Sequence, residues 1–231
     1  MNLPNTLTLG RILITPLVAL LPFAGPWQLK FTGFVLYVLA AVTDYFDGML
    51  ARTRNLITDL GKLLDPLADK LLLVGTMIPM YILMTDPGDW PAGHLPLIVN
   101  RVDAAFNYQF QTPLGAVHLP FWIVAVVLGR ELFMTIFRQI AAKRGVVIAA
   151  IGPAKWKTAM QSIWVGAAYF WIAALATATQ LHWENPWWSG FANFNGIVGV
   201  VSMVAAFVLT LYSLVLYLQQ YGHVVFRTST R

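Results

Sequence analysis

An all-α bundle of six membrane-spanning helices is the fold this sequence predicts, and three observations predict it. Of its 231 residues 58% are hydrophobic and only 11% charged, and the mean hydropathy is +0.66, a composition of polytopic membrane proteins rather than soluble domains. Six apolar runs approach the length of about 20 residues needed to cross a bilayer. Turn-rich breaks at Gly25-Pro26, Asp86-Pro87-Gly88, Gly152-Pro153 and Glu184-Asn185-Pro186 punctuate them.

The first span is expected near 5–24, where Arg11 precedes the apolar run Ile12 to Ala24 and Gly25-Pro26 ends it. The second, 30–52, and the third, 60–84, are joined by the short polar turn Thr53 to Leu60, so they should lie antiparallel. A long break, 85–118, follows as an insertion on the far side of the membrane. Its stretch Phe106 to Gln111 alternates aromatic and polar residues, which suggests a short strand or hairpin, although aromatics marking the interface account for it more simply. The fourth span, 119–142, stops at Lys143-Arg144. The fifth, 156–180, and sixth, 194–219, are separated by a break whose Trp183, Trp187 and Trp188 suit an aromatic belt. No repeat is visible, and a single domain over 1–231 is the economical organisation.

Basic residues set the orientation. Arg52, Arg54, Lys62, Lys143, Arg144, Lys155, Lys157, Arg227 and Arg231 cluster at one set of helix ends together with Arg11, whereas the opposite loops hold Lys30 and Arg101. The positive-inside rule then puts both termini and the Thr53 to Leu60 turn in the cytoplasm. The net charge of +5 reads as contact with anionic headgroups and not as nucleic-acid binding, for which no groove-reading element is present. With zero cysteines, a disulfide scaffold and thiolate metal sites are excluded.

Between Asp44 and Asp69 lies the pattern D-x-x-D-G-x-x-A-R, eight residues, then G-x-x-x-D-x-x-x-D. At about 100° per residue, Asp44, Asp47, Gly48, Ala51 and Arg52 share one helix face, and Gly61, Asp65, Ala68 and Asp69 share a face of the next helix. The two acidic stripes can therefore converge, while Gly48, Ala51, Gly61 and Ala68 leave room for a ligand against bare backbone. Four oxygen donors suit hard divalent cations, Mg²⁺ or Mn²⁺, and two such ions about 3.5 to 4 Å apart could clamp a diphosphate during phosphoryl transfer. A solvated charged turn would not place Asp44, Asp47, Asp65 and Asp69 inside apolar helical segments. An ion channel or transporter is the rival reading from another class, and it expects acids spread across the membrane depth.

At these residues the chain resembles the CDP-alcohol phosphotransferases, integral membrane enzymes with the signature D-x2-D-G-x2-A-R-x8-G-x3-D-x3-D; Asp44, Asp47, Gly48, Ala51, Arg52, Gly61, Asp65 and Asp69 meet every fixed position. The resemblance implies that Asp44, Asp47 and Asp65 ligate the ions and that Asp69 completes the shell or acts as the catalytic base. It also implies that Gly48, Ala51, Gly61 and Arg52 receive CDP-diacylglycerol, and that the enzyme is a homodimer.

A second constellation is basic. Arg130 lies near the middle of the fourth span, where an unpaired guanidinium is costly, so it needs Glu131, a motif acid or a bound anion. With Arg138, Lys155 and Lys157 it forms the kind of cluster that an acceptor carrying its own phosphate requires. The segments Asn2-Leu3-Pro4-Asn5 with Thr8 and Arg11, Gly129-Arg130-Glu131, and Lys155-x-Lys157-Thr158-x-x-Gln161 resemble the bacterial branch of the family that uses sn-glycerol 3-phosphate. Ala154, where that branch usually has glycine, and the insertion at 85–118 are departures. The resemblance implies phosphatidyl transfer from CDP-diacylglycerol to glycerol 3-phosphate, giving phosphatidylglycerophosphate and CMP, on the cytoplasmic face of a bacterial inner membrane. Arg130, Arg138, Lys155 and Lys157 would hold the acceptor phosphate, and Asn5 and Thr8, with Arg11, would close the rim over the CDP-diacylglycerol. Inositol phosphate satisfies the same charge argument. Since Asn2 to Arg11 takes part in this resemblance, the first span is expected to be retained and not cleaved as a signal peptide.

Overall fold

The computed structural model describes residues 3–53, 59–85, 108–149, 152–183 and 185–226, without the side chains at 3–4, 45, 47–53, 59–60, 62–63 and 224–226. Six long helices run through them: α1 (Leu3–Leu20), α2 (Trp27–Thr53), α3 (Asp59–Met84), α4 (Phe121–Lys143), α5 (Gly152–Gln180) and α6 (Trp187–Phe226). Each expected span falls on one of them. The stretches Asn5–Phe23, Leu64–Met84, Gly152–Gln180 and Trp187–His223 are long and apolar enough to cross a bilayer. α2 and α4 have comparable length but carry the charges of the two constellations. α6, 40 residues long, exceeds the expected 194–219 at both ends and reaches about 60 Å at 1.5 Å per residue.

α1 shows why the helices assemble. Its polar residues Asn5, Thr8, Arg11 and Thr15 are buried, while Leu9, Leu13, Leu17 and Leu20 are exposed. Offsets of three and four put the polar set on one stripe, which packs on α3 and α2. Such an inverted pattern is stable only where the surroundings of the exposed leucines are themselves apolar. Polar-to-polar contact between helices then replaces the hydrophobic drive of a soluble core.

Below that polar stripe the helices meet on aromatic side chains. Tyr169 of α5 donates its hydroxyl to the Val18 carbonyl of α1 (3.3 Å) and lies 3.4 Å from the Gly75 carbonyl of α3. Its ring stacks on Tyr37 of α2 at 5.5 Å, and the Tyr37 hydroxyl donates to the Ser162 carbonyl (2.9 Å). One tyrosine pair thus ties four helices together. α5 and α6 form the most extensive interface, capped at one end by Trp171 stacked on Trp188 at 5.9 Å. Trp183 and Trp187 are exposed beside them, so Trp188 belongs to the packed core more than to a surface belt.

Within the expected insertion, residues 86–107 lie outside the described residues, and so do the first two residues of the alternating stretch. The remainder forms a hairpin, β1 (Phe110–Thr112) antiparallel to β2 (Gly115–Val117), with Phe110 opposite Val117 and Gly115, at φ +121°, opening β2 just after the turn. The aromatics here are packed inward, contrary to the simpler interface reading: Tyr108 and Phe110 are buried, and Trp171 Nε1 donates to the Gln109 carbonyl (2.9 Å). Gly196 and Gly199 of α6 make the approach possible, because a Cβ at either position would run into Gln111 backbone or the Phe110 ring. At the same end, Lys30 donates to the Pro22 carbonyl, closing the 3-10 turn Leu21–Phe23, and its ammonium sits 5.2 Å from the Tyr108 ring centre.

Candidate active site

Three helices bring the motif acids together. Asp44 comes from α2, Asp65 and Asp69 from one face of α3, and the cation among them is Arg11 of α1. Its Nη1 donates to Asp44 Oδ1 and to Asp69 Oδ1, the latter at 3.0 Å. One turn earlier, Thr8 Oγ1 donates to Asp65 Oδ1 (2.8 Å). The guanidinium side chain is 1% exposed, against 46% for Asp44 and 59% for Asp69, so the acids keep an open side away from Arg11.

Asp47, Gly48, Ala51 and Arg52 continue α2, but their side chains lie outside the described residues. Gly61 is buried in the first turns of α3 and Asn5 is buried on α1. Among the described residues no three acids or histidines gather closely enough to form a complete cation site. What is present does suit a cation: a single nitrogen satisfies carboxylates from two different helices, and every available donor is oxygen, the preference of Mg²⁺ and Mn²⁺.

A cavity of about 200 Å³ opens beside the acids, lined among others by Tyr37, Asp44, Asp69, Glu131, Lys157 and Gln161. Acidic and basic constellations therefore share one space. Lys157 of α5 is buried and donates to Glu131 Oε1 (2.5 Å), and Arg130 Nη1 donates to the same oxygen (2.8 Å). Two cations on one carboxylate leave one net positive charge at the cavity wall. Arg130 is held further by Ser213 Oγ of α6 (2.9 Å), while its Nε is buried with no partner among the described residues. The depth that made an unpaired Arg130 untenable is met by Glu131, one of the alternatives the sequence left open.

Arg138 is exposed and also contacts Tyr217, whose ring centre lies 5.6 Å from the Arg138 guanidinium and 5.9 Å from that of Arg130. Lys155 is exposed on α5 and does not line the cavity. Of the four expected phosphate-holding cations, the structure thus joins Arg130 to Lys157 through Glu131, sets Arg138 one aromatic ring away, and leaves Lys155 outward.

Two contributors escaped the sequence in their real positions. Arg11 was expected at the rim and instead sits among the acids; the three-residue spacing of Asn5, Thr8 and Arg11 was the signal for a buried polar face. Glu131 was visible only as a neighbour of Arg130, because its second partner is 26 positions away. The rival transport reading expects acids spread along the depth, whereas Asp44 and Asp69 meet on one guanidinium.

This arrangement, acids of a fixed signature on two adjoining helices of a six-helix membrane bundle, defines a class of membrane phosphotransferase. Residues 1–212 match the CDP-alcohol phosphatidyltransferase family model. The chain belongs to that family. It is 34% identical over 178 residues, 72% of this chain and 75% of the relative, to the CDP-diacylglycerol--glycerol-3-phosphate 3-phosphatidyltransferase of Bacillus subtilis. Over 212 residues, 90% of this chain and 76% of the relative, it is 29% identical to a probable phosphatidylglycerophosphate synthase of Mycobacterium tuberculosis. A stretch of 90 residues, 39% of this chain, is 46% identical to the Rickettsia bellii protein that shares the Bacillus protein's name, and spans about half (49%) of that relative.

Proposed function

We propose that the protein transfers a phosphatidyl group from CDP-diacylglycerol to the primary hydroxyl of sn-glycerol 3-phosphate, giving phosphatidylglycerophosphate and CMP. The observation that carries this reading is that Asp44, Asp69 and Lys157 line one cavity, so acids for an activated diphosphate and a cation for an acceptor phosphate face the same space. The names of the Bacillus and Rickettsia relatives support the same substrates.

Asp44, Asp47, Asp65 and Asp69 would hold one or two divalent cations, Mg²⁺ or Mn²⁺, with Arg11 releasing at least one of its carboxylates. Such a cation, when bound, neutralises the diphosphate and the charge that gathers on departing CMP. Lys157 and Arg130 bind and orient the acceptor phosphate by charge-assisted hydrogen bonds. Asp69, with its open side toward the cavity, takes the proton from the acceptor hydroxyl as the oxygen attacks the phosphorus that carries diacylglycerol. The bond from that phosphorus to CMP breaks, and CMP leaves with the electron pair. Basic residues at one set of helix ends support a site on the cytoplasmic face of a bacterial inner membrane, where a soluble acceptor enters while acyl chains stay in lipid. A homodimer belongs to the same proposal.

The test is an acceptor panel: detergent-purified protein with CDP-diacylglycerol and Mg²⁺ or Mn²⁺, offered glycerol 3-phosphate, inositol phosphate, serine or no acceptor. Release of CMP with formation of a phosphorylated lipid from glycerol 3-phosphate is expected, and removal of divalent cations by chelation should stop it. Equal turnover with serine, which has no phosphate for Lys157 and Arg130, would overturn the reading.

A further inference from the structure

Among the described residues, Glu131 spends only one of its two carboxylate oxygens on the protein. Oε1 accepts from both Arg130 Nη1 (2.8 Å) and Lys157 Nζ (2.5 Å), and Oε2 accepts no hydrogen bond from any described residue. The side chain is 26% exposed and lines the cavity. Three hydroxyls of that wall are already committed to backbone. Tyr37 donates to the Ser162 carbonyl, Thr76 to the Leu72 carbonyl and Thr158 to the Ala154 carbonyl. The carboxylates of Asp44 and Asp69 are the set expected to face the diphosphate. Glu131 Oε2 is therefore the anionic acceptor left over for a hydroxyl of the bound molecule.

Its position says which hydroxyl. Lys157 and Glu131 are in direct contact, so a ligand whose phosphate rests on the Lys157 ammonium must offer its hydroxyl from an adjoining position. A hydroxyl on the carbon next to the one bearing the phosphate meets that condition. We infer that Glu131 is a specificity-determining residue that accepts a hydrogen bond from the hydroxyl adjacent to the acceptor's phosphoester, and so selects β-hydroxy phosphates over simple alkyl phosphates. The inference rests on the proposed acceptor reaction and adds to it the group that reads the acceptor's middle carbon. Its pairing with two cations fixes the Glu131 carboxylate in place before substrate arrives. The same pairing places Glu131 in competition with the incoming phosphate for Lys157 and Arg130.

These two roles predict opposite effects of one substitution. Glu131→Gln keeps the volume and removes the charge. Comparing glycerol 3-phosphate with 3-hydroxypropyl phosphate, which retains the attacking primary hydroxyl and lacks the middle one, isolates the contact. Wild-type protein should prefer glycerol 3-phosphate by roughly 10- to 100-fold in kcat/KM, the worth of one hydrogen bond to a charged group of about 1.5 to 3 kcal/mol. In Glu131→Gln that preference should fall to about tenfold or less, while KM for 3-hydroxypropyl phosphate decreases because the competing anion is gone. Glu131→Asp, which keeps the charge, should retain more of the preference. A merely structural role would lower turnover of both acceptors together and leave their ratio unchanged, and that result overturns the inference with the reaction intact. Failure of wild-type protein to use either acceptor would overturn it along with the proposed function.

Discussion

Arg11 and Asp69, 58 positions apart in the chain, are joined by a 3.0 Å hydrogen bond from Nη1 to Oδ1, and the same nitrogen reaches Asp44. A buried guanidinium thus stands where the motif acids would otherwise repel one another, and it would compete with the proposed divalent cation for the same oxygens. Arg11→Gln should tighten Mn²⁺ binding. A charge-assisted hydrogen bond contributes about 1.5 to 3 kcal/mol, so the gain should be roughly 10- to 100-fold in affinity. Titration of purified protein with Mn²⁺, followed by the loss of the free-ion paramagnetic resonance signal, measures it. Unchanged or weaker binding would assign Arg11 to supporting the acids and not to competing for them.

Asp69→Asn should abolish CMP release, because it removes the charge of the most exposed carboxylate of the cavity with little change of volume. Asp65→Asn should be nearly as severe, since Thr8 Oγ1 already occupies Oδ1 and leaves Oδ2 for a ligand. A loss of about 10³-fold or more in kcat is the expected scale for a group that stabilises or relays charge in the transition state. Full activity in both variants, with normal extraction and melting behaviour, would refute the proposed metal site.

The helices were readable because membrane spans announce themselves by length and apolar composition, and each of α1 to α6 falls on an expected run. The convergence of Asp44 with Asp69 was readable from helical spacing within the signature. Arg11 was misplaced because a lone cation near a terminus looks like a rim residue, and only the buried face shared with Thr8 and Asn5 reveals otherwise. Glu131 and Lys157 meet across two helices, a contact that no local spacing encodes. The hairpin was underestimated for a similar reason. Its aromatics looked interfacial by composition, and the residues that bury them, Gly196 and Gly199, lie far away on α6.

Arg130→Ala should affect the acceptor more than the lipid donor. Arg130 touches Glu131, Ser213 and the Tyr217 ring, and makes no hydrogen bond or ion pair with Asp44 or Asp69 among the described contacts. Losing the proposed charge-assisted contact to phosphate should raise the apparent KM for glycerol 3-phosphate by roughly 10- to 100-fold. KM for CDP-diacylglycerol should stay within about threefold. Initial rates of CMP release with each substrate varied in turn give both numbers, and equal shifts would place Arg130 in a purely structural role.

Gly196→Ala tests the seat of the hairpin. A Cβ on Gly196 would collide with the Gln111 backbone, which cannot rotate away as a side chain can, so β1 must lift off α6 or α6 must shift. Forced overpacking of this kind costs about 1 to 3 kcal/mol. Lifting β1 would also break the Trp171 Nε1 bond to the Gln109 carbonyl and unseat Phe110 from the core shared by α5 and α6. Gly190 supplies the control, because it lies on the same helix with open space where its Cβ would go, and alanine there should be neutral or slightly stabilising through helix propensity. Melting both variants in the same detergent should therefore lower Tm for Gly196→Ala alone. Equal melting temperatures would mean that the hairpin does not rest on α6 as described.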